Sequence, residues 1–190
     1  MMEDTLLIQQ VLKGNQSAFR DLVERYQSYV FTIAFKVLKN RERAEEVSQD
    51  VFIKVYRMLG SYQQKSTFST WLYTIAYRTA LDEVRKKKRY AESIEADGQY
   101  LQIADQDGKS PAFNVQQADL NHQLEQAIQQ LKPIDAAIIS LYYLNEKNVQ
   151  EIQVITGLSK SNIKTKLHRL REQLRDQLQS QLQTEVKDLL

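Results

Sequence analysis

Apolar residues recur at the three- and four-residue spacing of an α-helix along nearly the whole chain, and few residues interrupt this pattern. The chain of 190 residues contains only five glycines and two prolines. Both residue types are unfavourable inside a helix, so their scarcity together with the spacing favours a helical chain. No segment alternates between apolar and polar residues for long enough to predict a β-strand. The sequence therefore predicts an all-α fold.

Three long helices are predicted in the first half of the chain, each from its own apolar stripe. The stripes consist of Phe19, Leu22, Val23, Tyr26, Val30, Ile33, Ala34, Val37 and Leu38, then of Ala44, Val47, Val51, Val55 and Met58, and then of Phe68, Trp71, Leu72, Ile75, Ala76 and Val84. The second of these helices ends near Gly60, and the third runs from about Thr67 to Lys88. We expect them to pack into an N-terminal helical bundle over residues 1–88.

The charge changes sign where the helical periodicity stops. Residues 1–88 carry 15 basic and 10 acidic side chains, whereas residues 89–120 carry 2 basic and 6 acidic ones. Gly98, Gly108 and Pro111 lie in this acidic stretch. Because such residues interrupt regular structure, we expect a flexible acidic linker over residues 89–118. It would join the N-terminal domain to a second helical domain over residues 119–190.

A glycine separates two apolar stripes near the C-terminus in the pattern of a helix-turn-helix. Gly157 can take the positive φ that a tight turn requires, and Ser159 is suitably placed to cap the next helix. Upstream, Pro133 suits the first turn of a further helix. The second helix of a helix-turn-helix enters the DNA major groove. The stripes are Val149, Ile152 and Ile155 before the turn, and Ile163, Leu167, Leu170 and Leu174 after it.

The exposed positions of that second helix carry groups that donate hydrogen bonds to phosphates and base edges. Residues 152–171 include five basic residues and no acidic one, so nothing there repels the DNA backbone. An ordinary solvated face is the alternative, but an acid-free helix is unusual in a chain otherwise balanced in charge. The candidate DNA-binding residues are Lys160, Ser161, Asn162, Lys164, Thr165, Lys166, His168, Arg169 and Arg171.

The helix predicted over residues 67–88 has aromatic residues near its start and a basic run, residues 85–89, at its end. Aromatic faces stack on unpaired bases while cations follow the phosphates, a combination that suits single-stranded nucleic acid. Aromatic residues at helical spacing are also typical of a core, and the sequence leaves both interpretations open for Phe68 and Trp71. Tyr73 and Tyr77 lie away from the apolar stripe, and we expect them to be exposed.

The helix before it carries a polar face opposite its apolar stripe. From composition alone, this face is best interpreted as a solvated surface. It consists of Glu45, Glu46, Gln49, Asp50 and Lys54.

The residue inventory excludes several function classes. The chain has no cysteine, which excludes a thiol nucleophile, a disulfide framework and a cysteine zinc site. The acidic start and the lack of a long apolar run predict neither a signal peptide nor a membrane span. No carboxylate cluster, glycine-rich phosphate loop or metal-ligand spacing is present. We therefore expect a cytoplasmic protein without catalytic residues, metal or cofactor.

Three segments in a fixed order resemble a known family. They are AEEVSQDVFIKVYRML (44–59), STFSTWLYTIAYRTALDEVRKKKR (66–89) and LKPIDAAIISLYYLNEKNVQEIQVITGLSKSNIKTKLHRLREQL (131–174). They are similar to regions 2.2, 2.3 to 2.4, and 4 of the bacterial sigma factors of the extracytoplasmic-function group, the two-domain members of the sigma-70 family. The resemblance spans roughly residues 5–178.

The resemblance implies a promoter-specificity subunit that binds core RNA polymerase and helps to open promoter DNA. Region 2.2 would dock on the polymerase through Glu46, Gln49 and Asp50. The helix starting near Lys160 would read the minus-35 element as duplex through the nine residues named above. The linker would thread the polymerase, and the resemblance implies an anti-sigma factor as a further partner. The minus-10 element, as a single strand with a flipped base, would meet Lys65, Ser66, Thr67, Phe68, Trp71, Tyr73, Arg78, Arg85 and Lys86.

One position departs from the family pattern. At Arg78 the family commonly has asparagine, whose amide can read a base edge in a bidentate manner, whereas arginine favours guanine or phosphate. We hypothesise an altered minus-10 preference or a lost base contact.

Two alternatives from other classes remain. One is a free-standing helix-turn-helix repressor or activator whose N-terminal domain senses a signal or dimerises. The other is a helical adaptor that binds only proteins. The basic run after the aromatic helix disfavours the first, because a sensing domain has no need of it, and the acid-free helix after Gly157 disfavours the second.

Overall fold

The computed structural model describes residues 3–96 and 117–188, and every regular element within these ranges is a helix. The all-α prediction is therefore confirmed. A short 3-10 turn, Leu59–Ser61, follows the third helix. The helices are α1 (Asp4–Leu12), α2 (Gln16–Leu38), α3 (Arg41–Met58), α4 (Phe68–Ala96), α5 (Gln117–Gln130), α6 (Pro133–Tyr143), α7 (Val149–Thr156) and α8 (Lys160–Asp188).

Asparagine side chains define where the first long helices begin. The Asn15 carboxamide oxygen accepts hydrogen bonds from the backbone at the start of α2, and Asn40 does the same for Arg43 at the start of α3. Lys39 has a φ of 55°, in the left-handed region, and ends α2. Capping satisfies N–H groups that have no partner within the helix, so both starts are fixed locally.

Helices α1 to α4 pack around a shared apolar core. Leu22, Ile33, Val51 and Leu72 are buried there, and α2 contacts both α3 and α4 along its length. Asp4 fastens α1 to this bundle because its carboxylate accepts hydrogen bonds from the side chains of Arg25 and Tyr26. The predicted N-terminal bundle thus forms from the predicted stripes.

The C-terminal helices begin and end as the sequence predicts. Pro133 occupies the first turn of α6, and Gly157 ends α7 with a φ of 76°. The Ser159 hydroxyl accepts a hydrogen bond from the Asn162 backbone at 3.3 Å and so caps α8. Residues 149–171 are therefore a helix-turn-helix built from α7 and α8.

Helix α4 is longer than predicted. It continues to Ala96, eight residues past the expected end at Lys88, because no glycine or proline lies between Lys88 and Gly98. Residues 97–116, most of the predicted linker, lie outside the described residues. The domain limits 1–88, 89–118 and 119–190 stay predictions. None of the helices in the described ranges combines the length and apolar content needed to cross a bilayer.

The expectation that Tyr73 and Tyr77 are exposed is wrong. Each side chain is only 3% exposed. The face of α4 that carries them packs against the C-terminal helices, with Tyr73 next to Asn145 and Lys147. Burial raises the pKa of Tyr73 above its usual range, and the neighbouring Asn145 side chain opposes this effect. The apolar stripe of α4 does not reveal this second buried face, because the residues that cover it lie about 70 residues later in the chain.

Leu72→Ala should destabilise the chain by about 2–5 kcal/mol, because it opens a cavity in the fully buried centre of the N-terminal bundle. Urea unfolding followed by circular dichroism measures the change. The matched control is Leu6→Ala, at a leucine of α1 that is 50% exposed. This variant should lose under about 1 kcal/mol of its free energy of unfolding. Equal losses in both variants would contradict the placement of Leu72 in the core.

Candidate nucleic-acid interface

The first three turns of α8 present a polar, cationic surface to solvent. Ile163, Leu167 and Leu170 are buried against the other C-terminal helices, which orients the opposite side of α8 outward. Exposure matches the prediction at eight of the nine candidate positions, namely Lys160, Ser161, Asn162, Lys164, Thr165, His168, Arg169 and Arg171. The turn at Gly157 therefore leads into a helix whose exposed face suits a major groove.

Lys166 differs from the other eight candidates. It is half-buried, and its ammonium donates to the Asp135 carboxylate at 2.7 Å, which ties α8 to the first turn of α6. Asp135 lies 31 residues earlier in the chain, so this pair has no local sequence signal. His168 forms an exposed pair with Glu172 at 3.2 Å within the same helix. The Lys166–Asp135 pair orients α8, whereas the exposed pair of His168 and Glu172 contributes little free energy.

A loop before α4 carries the first candidate minus-10 residues. The Tyr62 hydroxyl donates to the Ser66 carbonyl oxygen at 2.6 Å, which closes the loop over residues 62–66. Lys65 and Thr67 are exposed and Ser66 is half-buried. The loop is therefore held in one shape while its polar side chains face solvent.

The aromatic residues at the start of α4 divide into one core residue and one accessible residue. Phe68 is 3% exposed and packs against the rings of Tyr26 and Tyr62, with centroids 5.5 and 5.8 Å away. Trp71 is only half-buried, and its ring lies 5.3 Å from that of Tyr62. The question left open by the sequence is thus answered separately for each: Phe68 belongs to the core, and Trp71 has an accessible side.

Cationic side chains in the middle of α4 face solvent. Arg78, Arg85 and Lys86 are exposed, and the last two form pairs within the helix with Asp82 at 3.2 Å and Glu83 at 3.4 Å. Exposed pairs of this kind contribute at most about 1 kcal/mol and exchange readily for other partners. These cations therefore remain available to a phosphate backbone.

Glu46, Gln49 and Asp50 lie together on the exposed face of α3, as their spacing predicts. Glu46 accepts a hydrogen bond from Arg43 at 3.0 Å. This face continues one turn further to Ile53, which is 50% exposed. The three polar residues are thus joined to an apolar surface.

A groove of about 610 Å³ lies beside this polar face, between the start of α2 and the end of α3. Phe19 and Tyr56 form its wall, with ring centroids 4.9 Å apart in an edge-to-face arrangement. The sequence reasoning missed this groove, although Ile53 and Tyr56, apolar residues outside the main stripe of α3, were a usable signal. Its lining consists of Phe19, Phe52, Ile53 and Tyr56 together with Arg20, Arg57 and Gln16.

Side chains that could bind a metal ion are not grouped together in the part of the chain that the structure describes. No group of three or more histidine, aspartate or glutamate side chains there could hold a metal ion. The surfaces described above instead offer cations, amides, hydroxyls and one accessible indole, which are groups that bind nucleic acid or protein.

Comparison with known proteins finds two family models along the chain. Residues 22–90 match sigma-70 region 2, and residues 121–174 match sigma-70 region 4. The first range covers the loop and most of α4, and the second covers the helix-turn-helix. Both predicted modules therefore correspond to recognised units, in the predicted order.

Two solved structures share the fold. They are the sigma factor RpoE of Bartonella quintana with its anti-sigma factor NepR, at a TM-score of 0.67, and CnrH with the cytosolic domain of CnrY, at 0.63. The first is 20% identical and covers 85% of this chain and 96% of its own. The second is 21% identical and covers 93% and 97%.

Relatives of closer sequence match nearly the full chain. The ECF RNA polymerase sigma factor SigW of Bacillus subtilis (strain 168) is 35% identical over 170 residues, which cover 87% of this chain and 91% of SigW. The ECF RNA polymerase sigma-E factor of Escherichia coli (strain K12) is 30% identical over 176 residues, 90% of this chain and 92% of that protein. With both modules matched at this identity and coverage, the chain belongs to the extracytoplasmic-function sigma factors of the sigma-70 family.

Proposed function

We propose that this chain is a promoter-specificity subunit: it binds core RNA polymerase, recognises the minus-35 and minus-10 promoter elements and assists DNA melting. The observation that carries this function is the exposed, acid-free face of α8 in a helix-turn-helix that follows a region 2 module. Sigma-70 proteins are transcription regulators, so the family supports the same conclusion.

The minus-35 element is read as duplex by α8. The exposed residues from Lys160 to Arg171 combine cations for phosphates with hydroxyl and amide groups for base edges. Lys166 has a positioning role instead, because its ion pair with Asp135 fixes the rotation of α8 about its own axis. That rotation decides which side chains reach the bases.

The minus-10 element is held as a single strand by the loop and the start of α4. Trp71 supplies an accessible ring on which a flipped base stacks, and Lys65 supplies a cation for the adjacent phosphate. Phe68 supports Trp71 from the core, since the two rings lie 5.9 Å apart. Ser66 and Thr67 add hydroxyls, Arg78 reaches a base edge, and Arg85 and Lys86 contact the backbone further along.

Core polymerase binds the exposed face of α3. Glu46, Gln49 and Asp50 offer two carboxylates and an amide, and the adjoining groove adds buried apolar area when a partner covers it. The polymerase then holds both DNA-binding modules in register. Two weak surfaces thereby act as one strong composite site.

Three further properties follow from this function. Polymerisation chemistry belongs to the polymerase, so the chain itself is not an enzyme. It acts where the polymerase and the chromosome are, in the cytoplasm. Because the structurally similar RpoE is in complex with the anti-sigma factor NepR, an anti-sigma factor is the regulatory partner we propose here.

Run-off transcription with purified core polymerase tests the function directly. A promoter obtained by selection should yield a defined transcript only when both core polymerase and this chain are present. Polymerase alone and chain alone are the controls. Tight binding of the chain alone to a duplex operator, with no polymerase-dependent transcript, would instead favour a free-standing repressor or activator.

Lys164→Ala and Arg171→Ala should each weaken binding of the holoenzyme to minus-35 duplex and lower the slope of log K against log salt by about 1, because each removes one phosphate contact. Fluorescence anisotropy across a salt series measures the slope. Lys132→Ala, at an exposed lysine outside α8, is the matched control. A slope that stays at the wild-type value would rule out phosphate contact at the position changed.

Arg78→Asn should change the minus-10 preference, because an amide and a guanidinium favour different base edges. Selection from a promoter library randomised at the minus-10 element measures the change, with transcription from the wild-type optimum as reference. The exposed Arg78 is outside the core, so folding should be unaffected. An identical preference in both proteins would show that Arg78 does not read a base.

A further inference from the structure

The loop between the 3-10 turn and α4 takes a shape that its own sequence does not favour. Residues 61–67 read SYQQKST and contain neither glycine nor proline. Gln64, in the middle of this segment, nevertheless has a φ of 56°, in the left-handed region. A side chain makes this region unfavourable, and glutamine is not one of the residue types that tolerate it well. Contacts outside Gln64 must therefore hold the loop in this conformation.

One hydrogen bond spans the unfavourable turn. The Tyr62 hydroxyl donates to the Ser66 carbonyl oxygen at 2.6 Å, so the bond connects the two sides of the loop around Gln64. Among the described residues, the backbone groups of positions 63–66 form no hydrogen bond with one another. The side chain of Tyr62 thus makes the connection that backbone groups make in an ordinary tight turn.

The donor of this bond is itself anchored in the N-terminal bundle. The Tyr62 ring packs edge-to-face on the buried ring of Phe68, with centroids 5.8 Å apart. It also lies 5.3 Å from the ring of Trp71. Both contacts are with α4, so the loop is fastened to the helix that follows it. The position of the Ser66 carbonyl is therefore set relative to α4.

The Tyr62 hydroxyl remains a donor at neutral pH. Burial, and to a smaller extent the negative charge of Asp4, raise the pKa of Tyr62 above its usual value. An unperturbed tyrosine already keeps its proton well above neutral pH. The hydrogen bond that closes the loop is therefore insensitive to pH changes around neutrality.

Tyr62 contacts both parts of the surface proposed to hold the minus-10 strand. Its hydroxyl holds the loop that carries Lys65, Ser66 and Thr67, and its ring lies against the ring on which a flipped base would stack, that of Trp71. Stacking on an aromatic ring accepts every base, whereas hydrogen bonds to the edge of a flipped base distinguish one base from another. Discrimination therefore depends on where the loop lies relative to the Trp71 ring.

We propose that Tyr62 is a positioning residue for minus-10 recognition: its hydroxyl holds the loop in register with the Trp71 ring, and this register decides which base fits the flipped position. The inference rests on the proposed function, because the register matters only if the loop meets the promoter strand. Tyr62 acts through the loop and does not read the base itself. A role limited to core packing would be filled equally well by phenylalanine, so the hydroxyl separates the two interpretations.

Tyr62→Phe in the full chain, assembled with core polymerase, tests the proposal. The change removes the hydroxyl and keeps the ring, so the loop loses its closing bond while the aromatic packing remains. The probe is a single-stranded DNA library randomised at the minus-10 element, and sequencing of the bound fraction gives the preference at each position. Selectivity at one position should fall roughly fivefold, as expected for the loss of one ordinary hydrogen bond.

Tyr143→Phe is the matched control, because it removes a hydroxyl from a tyrosine of α6 that is 50% exposed and distant in sequence from the loop. It should leave the selectivity at every minus-10 position unchanged. Circular dichroism should give the same helix content for both variants, and both holoenzymes should bind minus-35 duplex as tightly as the unmutated one. Equal selectivity in Tyr62→Phe and Tyr143→Phe would overturn the proposal.

Substitutions of Gln64 test whether the hydroxyl acts through the shape of the loop. Valine strongly disfavours a positive φ, so Gln64→Val should lower selectivity at the same position as Tyr62→Phe even though the hydroxyl is present. Asparagine adopts the left-handed region more readily than glutamine, so Gln64→Asn combined with Tyr62→Phe should regain part of the lost selectivity. No loss in the first variant and no regain in the second would overturn the positioning role.

The same library separates failure of this inference from failure of the proposed function. If the unmutated holoenzyme selects no base in the single-stranded library, the proposed minus-10 function fails, and the positioning role fails with it. If the unmutated holoenzyme selects a base and Tyr62→Phe selects it equally well, only the positioning role fails. Loss of selectivity at one shared position in Tyr62→Phe and Gln64→Val, with none in Tyr143→Phe, is the result we expect.

Discussion

Burial of α4 on two sides is the constraint on which the arrangement of the whole chain depends. One side carries Leu72 and Ala76 into the core made with α2 and α3, and the other carries Tyr73 and Tyr77 toward the C-terminal helices. A helix with one buried stripe would anchor one domain. Because α4 has two, the apolar residues of both modules join into a continuous core.

This double burial affects the two DNA-binding surfaces differently. The face of α8 proposed to read duplex DNA stays exposed at eight of its nine candidate residues. The surface proposed to hold the single strand begins at the loop before α4 and reaches Ser69 and Thr70, of which Ser69 accepts a hydrogen bond from Lys147 and Thr70 donates one to Glu151 in the C-terminal module.

In the contact between α4 and α7, one carboxylate serves both helices. Glu151 caps α7 through the Asn148 backbone and accepts the hydrogen bond of Thr70 from α4. The cap uses Glu151 Oε2 and the contact with α4 uses Oε1, so one carboxylate makes both.

The sequence by itself determined the elements that depend on local chemistry. Helix spacing, the asparagine, serine and glycine at helix ends, and the cationic face of α8 all follow from side chains a few residues apart, whose geometry the helix fixes. Tertiary structure decided the rest. Whether Phe68 lies in the core, whether Tyr73 meets water, and whether Asp135 meets Lys166 or Glu151 meets Thr70 depend on which helix packs opposite. In the last two pairs the partners lie about 30 and 80 residues apart, and burial is a property of both surfaces that meet, so a single helix pattern cannot reveal it.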